Sequence, residues 1–212
     1  MFTAVLSTDA QRALAVLGAG GIVADAYLAG GSALALHYGH RTSDDLDFFS
    51  PKPFDPHLMS ASLSGLGRFV ASSAEGISLI GEFEGVKYGY FRYQYPLLYP
   101  TISFSGVSLA DPRDIAAMKI AAVMDRGIKR DFIDLYELSH KGISIEDMFV
   151  FYDKKYGVLE SNLFSILRSI QYFEDAEIGG MPHMLTPLAW EEVKRFFIAE
   201  SMRLGKKYIE GQ

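Results

Sequence analysis

The residues of this chain best suited to chemistry are two closely spaced aspartates, Asp45 and Asp47. In an extended strand, side chains at i and i+2 project from the same face, so both carboxylates point to one side while Leu46 and Phe48 point to the other. Two like charges this close need a cation, and Mg²⁺ is a hard ion that prefers oxygen ligands. The spacing therefore predicts a magnesium site formed by Asp45 and Asp47.

A glycine turn precedes this acidic strand and predicts a phosphate site. Residues 26–29 indicate a short buried strand, and a helix is predicted from Ser32 to Tyr38. Gly30 and Gly31 allow a sharp turn with close approach of a ligand, and the free N–H groups at the start of a helix favour phosphate. Gly30, Gly31 and Ser32 are therefore predicted to bind the phosphates of a nucleoside triphosphate (NTP), with the magnesium ion bridging these phosphates and the carboxylates.

Two further polar residues between the turn and the strand are candidates for the same site. Arg41 either contacts phosphate and holds Asp45 and Asp47 in place, or is structural, pairing with Asp44 or a helix end. Ser43 lies two residues before Asp45, so its hydroxyl either lines the site or satisfies a nearby backbone group. Both residues are included among the predicted nucleotide-binding residues, and both alternatives stay open.

The surrounding pattern predicts a mixed α/β (α+β) fold with a small mixed β-sheet core and a C-terminal helical bundle. A helix is expected from Ser7 or Thr8 to Leu17, another over Asp55–Leu66, a hairpin over 77–83 and 86–95, and a short strand near 107–109. Helices follow at 112–125, 130–140, 144–156, 160–174 and 187–209. We expect a core lobe over residues 1–110 and a helical lobe over 111–212 that completes the active-site cleft.

Four segments of the sequence resemble the AbiEii-type nucleotidyltransferases, a branch of the polymerase-β-like superfamily. They are G-G-S at 30–32, G-H-R-T-S-D-D-L-D-F-F at 39–49, D-P-R-D-I-A-A-M-K-I at 111–120 and R-G-I-K-R-D-F-I-D-L-Y at 126–136. The resemblance implies a magnesium-dependent enzyme that moves a nucleoside monophosphate from an NTP to an acceptor hydroxyl. Many relatives are toxins of bacterial toxin–antitoxin or phage-defence pairs, which implies RNA, tRNA in particular, as acceptor and an antitoxin protein as partner.

The resemblance also draws attention to Lys119, Asp134 and Arg130. Lys119 lies in an apolar run, where it either extends its ammonium into solvent or points at the triphosphate. The family pattern favours Asp134 as a site carboxylate, acting as general base or orienting Lys119, although a salt bridge to Arg130 one turn earlier is the plainer alternative. Arg130 is included among the nucleotide-binding residues, and Asp131 is interpreted as a residue favoured at a helix start.

Two remaining features leave alternatives open. A third carboxylate is usual in the wider superfamily, and Glu82 and Glu84 are the strand-borne candidates, neither at a persuasive spacing. The tyrosines at 88, 90, 93, 95 and 99 either stack nucleobases or pack on the sheet, and packing is the favoured interpretation.

Composition limits the classes of protein that fit. The chain of 212 residues has no cysteine, which excludes disulfides, thiolate zinc sites and a cysteine nucleophile. Its apolar runs are too short to span a membrane, so we expect a cytoplasmic protein. The net charge of −6 disfavours a large RNA-binding surface and favours the alternative of transfer to a protein side chain or small molecule. An inactive nucleotide-binding module is a further alternative, against which the intact pair Asp45 and Asp47 argues.

Overall fold

The computed structural model describes residues 1–210, and the chain divides into two compact units, Met1–Asp111 and Pro112–Gln212. Within the described residues, no helix combines the length and the apolar character needed to cross a membrane. Each unit has its own set of helices, and the sheet belongs to the first.

The first unit contains three α-helices and one seven-stranded sheet. The helices are α1 (Thr8–Gly20), α2 (Gly30–Tyr38) and α3 (Pro56–Leu66), and the strands are β1 (Tyr27–Leu28), β2 (Leu46–Ser50), β3 (Phe69–Glu75), β4 (Ser78–Phe83), β5 (Val86–Arg92), β6 (Ile102–Phe104) and β7 (Val107–Leu109). The strand order is β3-β4-β5-β2-β1-β7-β6. The mixed α/β fold is as predicted.

Local signals explain where the helices of this unit begin. The hydroxyl of Ser7 accepts a hydrogen bond from the Ala10 N–H at the start of α1. Asp55 caps α3 in the same way, accepting from the N–H groups of His57 and Leu58. Short polar side chains at these positions satisfy backbone donors that have no partner within the helix.

β2 begins directly after Asp45, carries Asp47 and lies in the middle of the sheet, so Asp45 is not within the strand as predicted. β2 pairs antiparallel with β1 and parallel with β5, and Asp47 lies opposite Gly89 in the β5 register. Leu46 and Phe48 are fully buried, whereas Asp47 and Phe49 alternate with them and are half-buried. The predicted alternation of β2 is therefore confirmed, with an apolar face toward the core and a second face that carries Asp47.

The sheet is larger than the sequence predicts because β3 and β6 were missed. β3 is an edge strand with the small, polar sequence F-V-A-S-S-A-E and no fully buried residue, so it lacks the apolar alternation on which strand prediction depends. β6 is a three-residue edge strand without a buried residue, whereas the equally short β7 buries Val107 and Leu109.

The second unit is helical, as predicted. Its helices are α4 (Pro112–Asp125), α5 (Lys129–His140), α6 (Ile145–Tyr156), α7 (Leu159–Ser169), α8 (Glu174–Ile178) and α9 (Trp190–Gly205), followed by a π-helical turn at Lys206–Glu210. The predicted helix over 160–174 is in fact α7 alone, and α8 was not predicted. Phe132 of α5 anchors the packing, with ring contacts to Phe173, Trp190 and Phe197.

Candidate active site

The carboxylate of Asp47 lies between two glycines. A β-carbon built on Gly89 of β5 would lie 2.8 Å from Asp47 Oδ1, and one built on Gly30 of α2 would lie 3.6 Å from Oδ2. Gly30 also has φ = +71°, a conformation that favours glycine. Glycine backbone therefore lies close to both oxygens of Asp47.

The start of α2 is fastened to both aspartates through their backbone. The Ala29 N–H donates to the carbonyl of Asp47 at 3.1 Å, and the buried Ser32 hydroxyl donates to the carbonyl of Asp45 at 2.5 Å. A helix N-terminus presents N–H groups and a partial positive charge to anions. The predicted phosphate-binding turn and the predicted metal-binding strand are thus held together within the first unit.

The glycine pair differs in detail from the prediction. Gly30 and Gly31 are the first residues of α2 rather than a turn before it. The Ser32 hydroxyl lies 3.0 Å from Ser43 Oγ in addition to its bond to Asp45, so it is used within the protein. The backbone N–H groups of this turn, rather than the hydroxyl, are what the turn offers to a phosphate.

Arg41 is buried against the first turn of α2. Its side chain is 2% exposed, Nη1 donates to the carbonyl of Thr42 at 3.0 Å, and a β-carbon on Gly31 would overlap Nη2. Ser43 Oγ would lie 3.3 Å from the same β-carbon. The structure therefore brings Gly31, Arg41 and Ser43 together, and it gives Gly31 a packing role that the sequence did not indicate.

Neighbouring acidic residues have other roles. Asp44 is exposed, and its Oδ1 accepts a hydrogen bond from the Ser7 N–H at 2.7 Å, as expected for a turn charge. Glu84 has φ = +53° in the β4–β5 turn, where its Oε1 accepts from the Arg68 N–H at 2.6 Å. Glu82 is paired in register with Lys87, one strand further from β2.

Two carboxylates are a sufficient protein contribution for the predicted metal. Residues 1–210 contain no group of three or more His, Cys, Asp or Glu arranged to hold a metal ion. Mg²⁺ is commonly bound through one or two carboxylates, with substrate phosphates and water completing its six ligands. The oxygen donors of Asp45 and Asp47 beside a helix N-terminus fit such an ion when it arrives with a triphosphate.

A second cluster of charges is buried in the second unit. Lys119 Nζ lies 2.7 Å from Asp131 Oδ1 and 2.6 Å from Asp134 Oδ2, and both carboxylates are 0% exposed. Arg126 Nε adds a contact of 3.2 Å to Asp131 Oδ2. Burial alone would raise the pKa of Asp131, but the charges and hydrogen bonds of Lys119 and Arg126 outweigh it and hold this pKa below its usual value.

This cluster corrects two interpretations of the sequence. Lys119 does not extend into solvent, because its ammonium lies between two carboxylates. Asp131 is not simply a residue at a helix start, since it is a buried partner of Lys119 that sequence reasoning missed. The signal was available: Asp131 and Asp134 are three residues apart on α5 and share a face. Arg130, directly before Asp131 in sequence, is exposed.

The fold is that of nucleotidyltransferases. JHP933 of Helicobacter pylori superposes with a TM-score of 0.58 at 17% identity, over 97% of this chain and 96% of that one. MenT4, a nucleotidyltransferase toxin of Mycobacterium tuberculosis H37Rv, superposes with a TM-score of 0.52 at 16% identity, over 92% of this chain and 86% of that one.

Sequence similarity gives the family. The model of the family described as nucleotidyl transferase AbiEii toxin, type IV toxin–antitoxin system, matches residues 12–105 and 98–206. An uncharacterised protein of Aquifex aeolicus (strain VF5) is 38% identical over 210 residues, covering 97% of this chain and 98% of that protein. The chain belongs to the AbiEii family of nucleotidyltransferase toxins and is an enzyme of that class, which takes an NTP as substrate.

Proposed function

We propose that this chain is a magnesium-dependent toxin that transfers a nucleoside monophosphate from an NTP to a hydroxyl of RNA, tRNA in particular. The observation that carries the proposal is the half-buried pair Asp45 and Asp47, fastened to the N-terminus of α2. A pair of carboxylates beside free helix N–H groups offers complementary sites for a metal ion and for the phosphates that it accompanies.

In the proposed reaction, the acceptor oxygen attacks the α-phosphorus, the bond from that phosphorus to the bridging oxygen breaks, and pyrophosphate leaves. The acceptor proton passes to a base. Bound Mg²⁺ supplies charge neutralisation at the phosphates. Asp45 and Asp47 hold that ion, and the N–H groups of Gly30, Gly31 and Ser32 bind the β- and γ-phosphates. Catalysis of this type depends mainly on positioning and electrostatic stabilisation.

Lys119 and Asp134 have separate roles in the proposal. Lys119 neutralises negative charge that develops on the leaving pyrophosphate. Asp134 Oδ2 is 2.6 Å from Lys119 Nζ, so the contact favours Asp134 as the residue that orients Lys119 over the alternative of a general base. Arg41, Ser43 and Arg130 complete the proposed nucleotide-binding set.

The acceptor is the least constrained part of the proposal. A net charge of −6 provides little general attraction for RNA, so transfer to a protein side chain or a small hydroxylated molecule is the second candidate. The family is described as a toxin of a type IV toxin–antitoxin system. On that ground we propose RNA as the acceptor, a cognate antitoxin as partner and a place in phage defence.

The test is a transfer assay with each labelled NTP, total bacterial RNA and Mg²⁺. We expect a labelled band of tRNA size with the wild-type chain and none after chelation of the metal. Asp47→Asn should lower transfer by about a hundredfold or more, because it removes one of two metal-binding charges while conserving shape. Asp44→Asn is the matched control, since its remaining oxygen still accepts from the Ser7 N–H.

Each outcome has a distinct meaning. Transfer by Asp47→Asn at the wild-type rate would refute the proposed metal site. Label on protein or small molecules, but not on RNA, would refute the RNA acceptor and leave nucleotidyl transfer standing. As a second arm, the wild-type chain expressed alone should slow bacterial growth, and Asp47→Asn should not.

A further inference from the structure

A row of aromatic rings runs away from Asp47 on its own face of the sheet. The centroids of neighbouring rings are 5.2–6.0 Å apart: Tyr27 to Phe49, Phe49 to Phe91, Phe49 to Tyr93, and Tyr93 to Tyr95. The register places Phe49 opposite both Tyr27 and Phe91, two residues beyond Asp47 and its partner Gly89. Five rings thus form a continuous row on the face that carries Asp47. Tyr27, at one end, is buried, and exposure increases toward Tyr95 at the other end.

The row separates the tyrosine-rich segment into two groups with different surroundings. Tyr88 and Tyr90 are 2% exposed and pack on the opposite face, against Phe48 and Phe54 respectively. Tyr93 and Tyr95 lie on the Asp47 face, and Tyr95 is 39% exposed. The expectation of sheet packing therefore holds for Tyr88 and Tyr90. Tyr93 also packs on Phe49 but is only half-buried, and Tyr95 is exposed.

The row begins directly beside the carboxylate. The position of a β-carbon on Gly89 would be 2.5 Å from the Phe91 ring and 2.8 Å from Asp47 Oδ1, so ring and carboxylate border the same point of backbone. From there the row follows β2 and β5, which are parallel, toward their C-terminal ends. Successive side chains on one face of a strand are about 6.6 Å apart, so the first rings of the row lie one such step from Asp47 and Gly89.

We propose that Phe49, Phe91, Tyr93 and Tyr95 form a stacking surface for nucleobases next to the metal-binding aspartates. This inference rests on the proposed function and extends it to the nucleoside part of the substrate. Stacking on aromatic side chains contributes to binding of single-stranded nucleic acid whatever the base and without phosphate contacts. It gives an acidic chain a means of holding nucleotides that a net charge of −6 otherwise disfavours.

The surface binds a nucleobase of either source, the incoming NTP or the terminal nucleotide of the acceptor. The test uses 2-aminopurine, a base whose fluorescence falls on stacking. One arm titrates 2-aminopurine riboside triphosphate with Mg²⁺, and the other titrates a short oligoribonucleotide with 2-aminopurine at its 3′ end and no NTP. Neither arm requires turnover, so stacking is measured independently of transfer.

The variant is Tyr93→Leu combined with Phe91→Leu, and Tyr172→Leu is the control because this tyrosine is exposed and lies in the second unit. We expect quenching by the wild-type chain and the control, and binding at least about tenfold weaker for the double variant, since each stacked base adds a substantial share of affinity. The binding constant should fall only shallowly with salt, because few phosphate contacts release counterions.

Quenching confined to one arm identifies which nucleotide the surface holds. Absence of quenching in both arms, or equal quenching with the double variant, overturns the inference even if transfer is normal. Loss of transfer with quenching intact would instead count against the proposed function. Tyr95→Leu, at the exposed end of the row, replaces the double variant if that protein does not fold, and a fewfold weaker binding is expected.

Discussion

The two acidic clusters of this protein differ in how deeply their carboxylates are buried. In the first unit, Asp45 and Asp47 are half-buried, and glycine backbone borders the Asp47 carboxylate. In the second, Asp131 and Asp134 are fully buried around the ammonium of Lys119. The aspartates of the first unit are therefore partly exposed, whereas those of the second are fully buried around a cation of the protein.

The difference shows how burial decides what a carboxylate does for a protein. A buried charge destabilises the fold unless a nearby opposite charge compensates it. The second unit contains a further example in Lys155 and Asp114, whose Nζ and Oδ1 are 2.7 Å apart with both side chains 0% exposed. We therefore expect substitutions that remove a charge to cost more stability at the buried pairs of the second unit than at Asp45 and Asp47.

The largest expected effect on stability is at Lys155. Lys155→Met leaves the buried carboxylate of Asp114 without this ammonium and should lower the free energy of unfolding by about 3–5 kcal/mol. Lys154→Met, at the exposed neighbouring lysine, should change it by less than about 1 kcal/mol. Asp47→Asn conserves shape at a half-buried position and should also change it by less than about 1 kcal/mol. Denaturant titration of the three variants measures the contrast, and a large loss for Asp47→Asn would contradict it.

Asp131 should give the second unit a characteristic pH dependence. Its pKa is lower in the folded chain than in the unfolded one, so its ionised form stabilises the fold at neutral pH. This contribution is lost as the pH falls from the usual aspartate range to the lowered pKa. Asp131→Asn should cost about 3 kcal/mol at pH 7 and flatten this acid slope. If the free energy of unfolding fell with decreasing pH at the same slope in variant and wild type, the acid sensitivity would come from groups other than Asp131.

The smallest effects are expected from substitutions at two glycines, Gly89 and Gly65. A β-carbon in Gly89→Ala would meet the Phe91 ring and Asp47 Oδ1, so we expect a loss of about 1–3 kcal/mol and about tenfold slower transfer as the carboxylate is displaced. Gly65, on exposed helix α3, has nothing within 4 Å of a β-carbon. Gly65→Ala should therefore raise stability by up to about 1 kcal/mol and leave transfer unchanged. If Gly89→Ala transferred at the wild-type rate, the expectation that the position of the Asp47 carboxylate limits activity would be wrong.

Much of the fold follows from local signals in the sequence. Ser7 and Asp55 mark helix starts, the alternation around Leu46 and Phe48 marks β2, and the apolar periodicity after Pro112 marks the helical unit. These features depend on residues close together in the chain. β3 was missed because an exposed edge strand needs no apolar face to pair with its neighbour.

For the candidate site, the sequence indicated several of the residues that belong to it but not the contacts that they make. The spacing of Asp45 and Asp47 indicates a shared face, and their roles as metal ligands stay a prediction. The packing of Arg41 on Gly31 and the pairing of Lys119 with Asp131 join residues 10 or more positions apart, which periodicity does not report. For Lys119, the structure adds a role in the fold, because its removal would leave two buried carboxylates without that ammonium.

The bonds from Ala29 and Ser32 to the carbonyls of Asp47 and Asp45 have a mechanical consequence. They tie a helix end to a central strand at two points, so the two elements move as one rigid piece. A ligand that contacts both elements meets a surface whose shape is set when the chain folds, and little conformational freedom remains to be lost on binding. The Ser32 hydroxyl and the Ala29 amide take no part in the proposed chemistry, but their bonds hold the start of α2 next to Asp45 and Asp47.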